Sequence, residues 1–250
     1  MEKEYRDQYL RIFEELFNGY KAKIGRKKVG ILVSGGIDSS IVAHFVSTHF
    51  PNSSMLSLQS EKSVDDDFVE ILGNHFKVQP LLARVTREDL VSANREVLQL
   101  LKEAKVERNV MQVALASVYY FLFKEANRRQ IEVIFTGQGP DVLLAGYNKY
   151  KALSGMALKA QITRDLVILE TDKKRDSAIA KRWGLKVMNP YLELKFVDFA
   201  LSVPSEFLIY QGTEKYLSRV VGAELGLPIE IVNRPKKAMQ YSTGVQKILK

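Results

Sequence analysis

The chain contains no cysteine, which removes disulfides, thiolate zinc sites, cysteine nucleophiles and persulfide chemistry together. That absence fits a reducing or hot cytoplasm. Histidine is scarce too: His44 and His49 lie five positions apart on an expected helix, His75 has no recognisable partner, and such spacing does not bring side chains onto one face. All three are read as structural. No apolar run reaches the roughly 20 residues that a membrane span requires. The most apolar stretch, residues 110–123, is broken by Gln112 and Ser117 and reads as a buried helix. Its Tyr119, Tyr120, Phe121 and Phe123 are expected in the core rather than as base-stacking platforms. The opening residues are charged throughout, with Tyr5, Tyr9, Ile12, Phe13, Leu16 and Phe17 at amphipathic helical spacing. They describe a docking helix and not a signal peptide, so a cytoplasmic protein with no membrane partner is expected.

What is present bounds the fold. An apolar content of 46% in 250 residues is enough for one large α/β domain. An excess of 37 basic over 29 acidic residues, a net charge of +8, suits a polyanionic ligand such as a nucleotide, pyrophosphate or RNA without choosing among them. The clusters Lys173-Lys174-Arg175, Lys181-Arg182 and Lys236-Lys237 fit an RNA-binding face, solvated charge or attraction of pyrophosphate equally well. Asp65, Asp66 and Asp67 read as a solvated helix start.

Along the chain, a short apolar strand at 29–33 meets Ser-Gly-Gly, and Ser39 or Ser40 can cap the helix that follows to about residue 50. Strands at 55–58 and 78–85 flank a helix at 65–75, which is βαβαβ grammar. Helices at 87–105 and 109–129 precede a strand at 131–136. From residue 155 onward the pattern is mostly helical, with turn signals at Asn189-Pro190, Pro204 and Leu227-Pro228. The expected fold class is α/β: a doubly wound parallel sheet within the first ~150 residues and a helical C-terminal lobe. A single domain over 1–250 is expected, divided into a leading helix at 1–25, a nucleotide-binding sheet region at 26–153 and a helical part at 154–250.

Ligands of doubly wound sheets bind beyond the carboxyl ends of the strands, and two strand ends here carry unusual loops. The first is Ser34-Gly35-Gly36-Ile37-Asp38-Ser39-Ser40. Adjacent glycines let backbone amides surround an anion, and the helix start adds about half a positive charge. Neither GxxxxGK[ST] nor GxGxxG is present, so this is not a Walker A loop or a dinucleotide fingerprint. The second loop is Thr136-Gly137-Gln138-Gly139-Pro140-Asp141. If the first and fourth strands are neighbours, Asp38 and Asp141 emerge side by side, and two hard carboxylates near a triphosphate are what Mg²⁺ needs. Asp141 can also serve as a helix cap.

SGGIDSS resembles the PP-loop of enzymes that cleave ATP between its α and β phosphates. TGQGPDVLLAGY is similar to the GEGADE…GGY segment of asparagine synthetases. Farther on, residues 175–180 and 184–193 resemble that family's RDD…GVExRVPFLD stretch, residues 215–217 its KYxLR and residues 234–236 its RxK. The resemblance covers about residues 28–244, in order, and implies an adenine nucleotide α-hydrolase-like fold and ATP and Mg²⁺ as cofactors. It implies that Leu32, Ser34, Gly35, Gly36, Asp38, Ser39, Ser40, Leu58, Gly137 and Gln138 bind ATP, that Asp38 and Asp141 hold the metal, and that Lys236 and Lys215 are catalytic. Lys236 matches the family lysine that stabilises charge during adenylation and amide formation, and Lys215 would help bind pyrophosphate. The implied reaction is that of an AMP-forming ligase of asparagine biosynthesis, joining a small-molecule carboxylate and an amine.

The sequence departs from the family at Gln138 and Lys186, where the family carries glutamate, and at Met188 and Val142. A neutral amide and a cation in place of two acids would change which substrate charges are accepted, so aspartate does not follow as the substrate. The family's glutaminase domain begins with a catalytic cysteine, whereas Glu2 follows the first methionine here. Ammonia is then expected to be free, supplied by a separate glutaminase subunit or replaced by another amine. Two further readings keep the fold: a PP-loop enzyme acting on tRNA or a nucleotide, and a nucleotide-binding subunit without catalysis.

Overall fold

The apolar spacing at the amino end produces α1 (Glu2–Ile24), which buries Tyr9, Ile12, Phe13, Phe17, Tyr20 and Ile24. Phe13 and Phe17 lie 5.2 and 5.4 Å from the Phe45 ring, and a fully buried side chain of this size contributes about 1.5–3 kcal/mol. The chain, seen in a computed structural model that describes residues 1–249, then alternates through β1 (Val29–Leu32), α2 (Ile37–His49), β2 (Ser54–Ser60), α3 (Asp66–Phe76) and β3 (Leu81–Val85). Next come α4 (Arg87–Glu103), α5 (Val110–Arg128), β4 (Val133–Phe135) and the short α6 (Pro140–Leu143). α4 starts at a capping box, in which the Thr86 hydroxyl accepts from the Asp89 amide and the Asp89 carboxylate accepts from the Thr86 amide.

The carboxyl-terminal part opens with the long α7 (Gly155–Arg182), followed by β5 (Lys186–Met188) and α8 (Leu194–Ser202). A short α9 (Ser205–Leu208) leads into a two-stranded antiparallel ribbon, β6 (Ile209–Tyr210) with β7 (Thr213–Glu214). The chain closes with α10 (Tyr216–Glu224), α11 (Ile229–Val232), α12 (Met239–Ser242) and α13 (Val245–Leu249). No helix among the described residues is long and apolar enough to cross a membrane.

The main sheet is parallel throughout, in the order β3-β2-β1-β4-β5. β1 is buried at all four positions, as a strand covered by helices on both faces must be. Val29 and Ile31 join the core shared with α1 and α2, while Leu32 joins the core built with α4 and α5. The chain winds outward from β1 through β2 and β3 on one side and through β4 and β5 on the other. The crevice beyond the carboxyl ends of β1 and β4 is therefore the topological switch point.

Two features differ from the sequence expectation. The sheet is not confined to the first 150 residues, because β5 lies in the part read as helical. Its three residues run exposed, intermediate and buried, a pattern too short and too polar to register as apolar periodicity. The ribbon was hidden for a related reason: its turn puts Gln211 and Gly212 at φ of 48° and 77°, and glutamine at a left-handed position is not a turn signal.

Candidate active site

After β1, Gly35 takes φ 69° and the chain enters α2 at Ile37. The helix cap is Gly36, which offers no side-chain bond, and not Ser39 or Ser40 as expected. The amides of Ile37, Asp38 and Ser39 thus have no helical carbonyl below them and no capping oxygen above. Both serine hydroxyls turn back to the Gly36 carbonyl, at 3.1 Å from Ser39 and 2.8 Å from Ser40. Ser40 also commits its amide there, at 3.1 Å, and is fully buried. It shapes the turn from behind, and neither Ser40 nor Gly35 lines the cavity. Ser34, Gly36, Asp38 and Ser39 do, together with Leu32 and Leu58 as an apolar wall.

The β4 loop closes the other side of the crevice. A Cβ on Gly137 would lie 2.7 Å from the Ser39 amide nitrogen and 2.9 Å from the Ser39 Cα, so this loop and the first turn of α2 pack backbone against backbone. Gln138 and Asp141 follow it along the cavity. Pairing of β1 with β4 brings Asp38 and Asp141 to one edge, as the sequence argument required.

Between these aspartates sits Lys215. Its Nζ donates to Asp38 Oδ2 and lies 2.6 Å from Asp141 Oδ1, while Lys236 Nζ lies 3.3 Å from Asp141 Oδ2 and 5.0 Å from the Tyr147 ring centroid. Lys215 is 4% exposed and takes a left-handed φ of 56°, a strain of roughly 1–3 kcal/mol held by its surroundings and typical of functional sites. Its stem passes Gly146, where a Cβ would collide with that stem and come within 2.5 Å of Asp141 Oδ1. Burial works against the Lys215 charge, but Asp141 and Asp38 outweigh it and hold the ammonium above its ordinary pKa. Burial likewise raises the Asp38 carboxyl, with Lys215 pulling it down only in part. At Asp141 burial is overcome by Lys215 and Lys236, which keep the carboxyl below its ordinary value.

Asp38 Oδ1 is buried and has no hydrogen-bond partner, and Asp141 Oδ1, although close to the ammonium, makes no well-formed hydrogen bond. These two oxygens fit a hard divalent cation. No group of three or more His, Asp or Glu side chains suits a metal among the described residues. Such an ion would complete its shell with ligand oxygens and water, which is the habit of Mg²⁺.

Arg234 braces the loop from the cavity wall. Its guanidinium stacks 3.9 Å over the Phe68 ring, Nη1 donates to the Ser34 carbonyl at 2.5 Å, and Nη2 pairs with Asp65. Asp65 is therefore buried, at 1% exposure, and not a solvated helix start. The expectation failed because its partner lies 169 residues away. The segment after Arg234 runs along the cavity and is tied to the β2–α3 connection: the Val64 amide donates to the Ser242 carbonyl at 2.8 Å, and Ser60 Oγ to the Thr243 carbonyl at 2.6 Å.

A cluster around Arg175, which lines the cavity with Gln112, Gln138 and Asp172, was not foreseen as a unit. Arg175, 1% exposed, donates from Nη1 to Asp172 Oδ1 at 2.7 Å and to Gln112 Oε1 at 2.9 Å, and from Nε to Asp176 Oδ1 at 2.8 Å. Gln138 Nε2 donates to Asp172 Oδ2 at 2.5 Å. Burial pushes the Asp176 carboxyl up to about 7, with Arg175 opposing and Asp172 reinforcing the rise. Burial also raises Asp172, against the pull of Arg175. Lys186 takes no part: it is exposed at the first position of β5, paired with Val133 at the opposite end of the strands from the cavity. A cation there does not alter the charge that a substrate meets, contrary to the expectation from the motif.

Comparison with known proteins follows the geometry. A family model described as asparagine synthase matches residues 21–167 and 157–250. A putative glutamine-hydrolysing asparagine synthetase of Methanocaldococcus jannaschii is 25% identical over 264 residues, covering 90% of this chain and 47% of that protein. The glutamine-hydrolysing asparagine synthetase of Gallus gallus is 28% identical over 246 residues, covering 92% of this chain and 42% of that protein. The chain thus spans about half the length of these relatives or less. Among solved structures, NMN synthetase from Francisella tularensis aligns over 100% of this chain and 86% of its own, with a TM-score of 0.49 and 13% identity.

Proposed function

The chain belongs to the asparagine synthase family, and from that premise we propose that it is an ATP-dependent carbon–nitrogen ligase. A substrate carboxylate attacks the α-phosphorus of ATP, pyrophosphate leaves, and an amine displaces AMP to give an amide. The observation that carries this reading is the set Asp38, Lys215, Asp141 and Lys236 beside the uncapped amides of α2, all at the switch point of the sheet.

In this reading the amides of Ile37 to Ser39 and Lys215 receive the leaving pyrophosphate, since helix starts and buried ammonium groups stabilise anions. Lys236 faces the charge that develops on phosphorus and then on the acyl carbon. Leu32 and Leu58 offer the adenine an apolar wall. Asp38 and Asp141 would hold Mg²⁺, which would neutralise phosphate charge. The protein's own contribution is orientation and preorganised charge. The carboxylate and amine are small molecules; the relatives are named for glutamine hydrolysis, and a chain without cysteine would take its amine as ammonia, from a separate glutaminase subunit or as another amine.

The test is a screen of amino acids and other carboxylates with Mg-ATP and ammonium chloride, reading AMP and pyrophosphate. One carboxylate is expected to release the two in equal amounts, and Lys236→Ala to slow that release by roughly 10²–10³. Release of ADP, or no carboxylate-dependent pyrophosphate from the wild type, would sink the proposal. A second expectation concerns the cradle: Gly137→Ala drives a methyl into the Ser39 backbone, which costs about 1–3 kcal/mol as overpacking. Calorimetry should show that loss, and titration with pyrophosphate should show weaker binding. Unchanged pyrophosphate affinity would mean that the first turn of α2 is not the anion cradle.

A further inference from the structure

Two buried tyrosines reach the first turn of α2 from behind. We infer that the hydroxyls of Tyr9 and Tyr191 form a relay that makes the Ser39 amide a stronger donor to a bound anion, so that both are positioning residues for the anion cradle. The inference rests on the ligase reading only for the identity of that anion as the leaving pyrophosphate. Tyr9 lies on α1 and Tyr191 in the short turn Pro190–Leu192 after β5. Both are 0% exposed and neither lines the cavity, so whatever they do for a ligand they do through another group.

The direction of each bond follows from what the atoms can do. Tyr191 Oη lies 3.1 Å from the Asp38 carbonyl oxygen, and a carbonyl only accepts, so Tyr191 spends its one proton there. Tyr9 Oη lies 2.9 Å from Tyr191 Oη and must then be the donor to it. The Asp38 carbonyl and the Ser39 amide belong to one peptide group, and in a trans peptide they point in opposite directions. Its carbonyl end takes the tyrosine proton, and its amide end is one of the uncapped donors of α2. A hydrogen bond accepted at the carbonyl draws charge through the peptide and strengthens the donor at the other end, by about 10–30% per bond. Tyr9, Tyr191 and the peptide thus act in series, all with the same sense.

The rings hold the hydroxyls in place. The Tyr9 ring centroid lies 5.0 Å from those of Phe13 and Phe196, and the Tyr191 centroid 5.0 and 5.1 Å from the same two. Burial holds both phenols well above their ordinary pKa, so the relay keeps its protons through the neutral range. A helix carbonyl ordinarily accepts from the amide four residues on and needs no second donor; the extra donor here falls on a peptide whose amide belongs to the cradle. In the motif that residues 184–193 resemble, phenylalanine occupies the place of Tyr191. An aromatic ring alone can therefore fill this part of the core, and the hydroxyl is a departure of this chain.

Removing each hydroxyl while keeping its ring tests the relay. In protein labelled with carbonyl-¹³C aspartate and ¹⁵N serine, correlated NMR signals arise from the Asp-Ser pairs at 38–39 and 176–177, and Ser177→Ala removes the second pair and so assigns the first. Without any ligand, Tyr191→Phe is expected to move the Asp38 carbonyl and Ser39 amide signals upfield and to leave the 176–177 pair in place. An unmoved 38–39 signal overturns the inference whatever the anion does. Calorimetric titration with pyrophosphate reads the consequence. Its Kd should rise roughly 3–10-fold in Tyr191→Phe and less in Tyr9→Phe, and Tyr9→Phe should add nothing in the Tyr191→Phe background, because Tyr9 acts only through Tyr191. Equal affinity in wild type and Tyr191→Phe, or two effects that multiply, overturns the inference: the hydroxyls would then only satisfy one another in the core, a role that moves the melting temperature and not the affinity. A wild type that binds no pyrophosphate sinks the cradle reading, while the signal shift, read without ligand, still decides whether the relay exists.

Discussion

Replacing Lys215 with methionine is expected to destabilise the protein by about 2–3 kcal/mol and to make its remaining stability respond to Mg²⁺. Removing one partner of a buried ion pair costs about 3–5 kcal/mol, because the other charge stays behind unpaired. The side chain of Lys215 is 5% exposed and that of Asp38 15%, but that of Asp141 is 33% exposed, so water screens part of the loss. In the variant, Asp38 and Asp141 lose the ammonium between them, and a divalent cation becomes the only available replacement apart from the more distant Lys236. Added MgCl₂ should therefore raise the calorimetric midpoint of the variant clearly more than that of the wild type, where the lysine already supplies the charge. An equal response in both proteins would show that the two aspartates do not form the cation site. Activity should fall as well, by roughly 10²–10³, since one of the groups placed at the leaving pyrophosphate is gone.

What could be read in advance follows from how far apart in sequence the determinants lie. β1, the glycine turn and α2 are written in 21 consecutive residues, 29–49, so apolar run, glycine pair and helix are visible together. The adjacency of Asp38 and Asp141 needed one topological assumption, the pairing of β1 with β4, and the sheet order meets it. The lysines were placed only by resemblance, since nothing local distinguishes Lys215 or Lys236 from surface charge. What no local pattern carried is the pairing between distant segments: Arg234 with Ser34 and Asp65, Gln138 with Asp172, Arg175 with Gln112. The left-handed Lys215 was equally invisible, because a lysine does not signal a positive φ in the way a glycine does. Ser40 misled for the opposite reason: a serine at a helix start is a common cap, and here the cap is Gly36, which makes no side-chain bond, while the Ser40 hydroxyl turns back to the Gly36 carbonyl.

The second large effect is expected at Arg175. Arg175→Met leaves Asp172 and Asp176 facing each other in the core without their shared cation, at a cost of about 3–5 kcal/mol at neutral pH. The cost must depend on pH in a fixed direction. Asp176 already sits near 7 in the folded protein against an ordinary 3.8, with burial the leading cause. Between those values the folded state binds more protons than the unfolded chain, so stability falls as pH rises across that window. Without Arg175 the folded values of both aspartates move higher, and the window widens upward. Urea unfolding of wild type and variant at about pH 5 and about pH 8 should then show a deficit that is small in acid, where both carboxyls are protonated in the variant, and full in mild base. Arg175→Met combined with Asp176→Asn should recover a large part of the loss, because one of the two stranded charges is gone. A deficit equal at both pH values would mean that Arg175 acts by packing against Tyr119, whose ring centroid is 5.4 Å away, and not by balancing the two carboxylates.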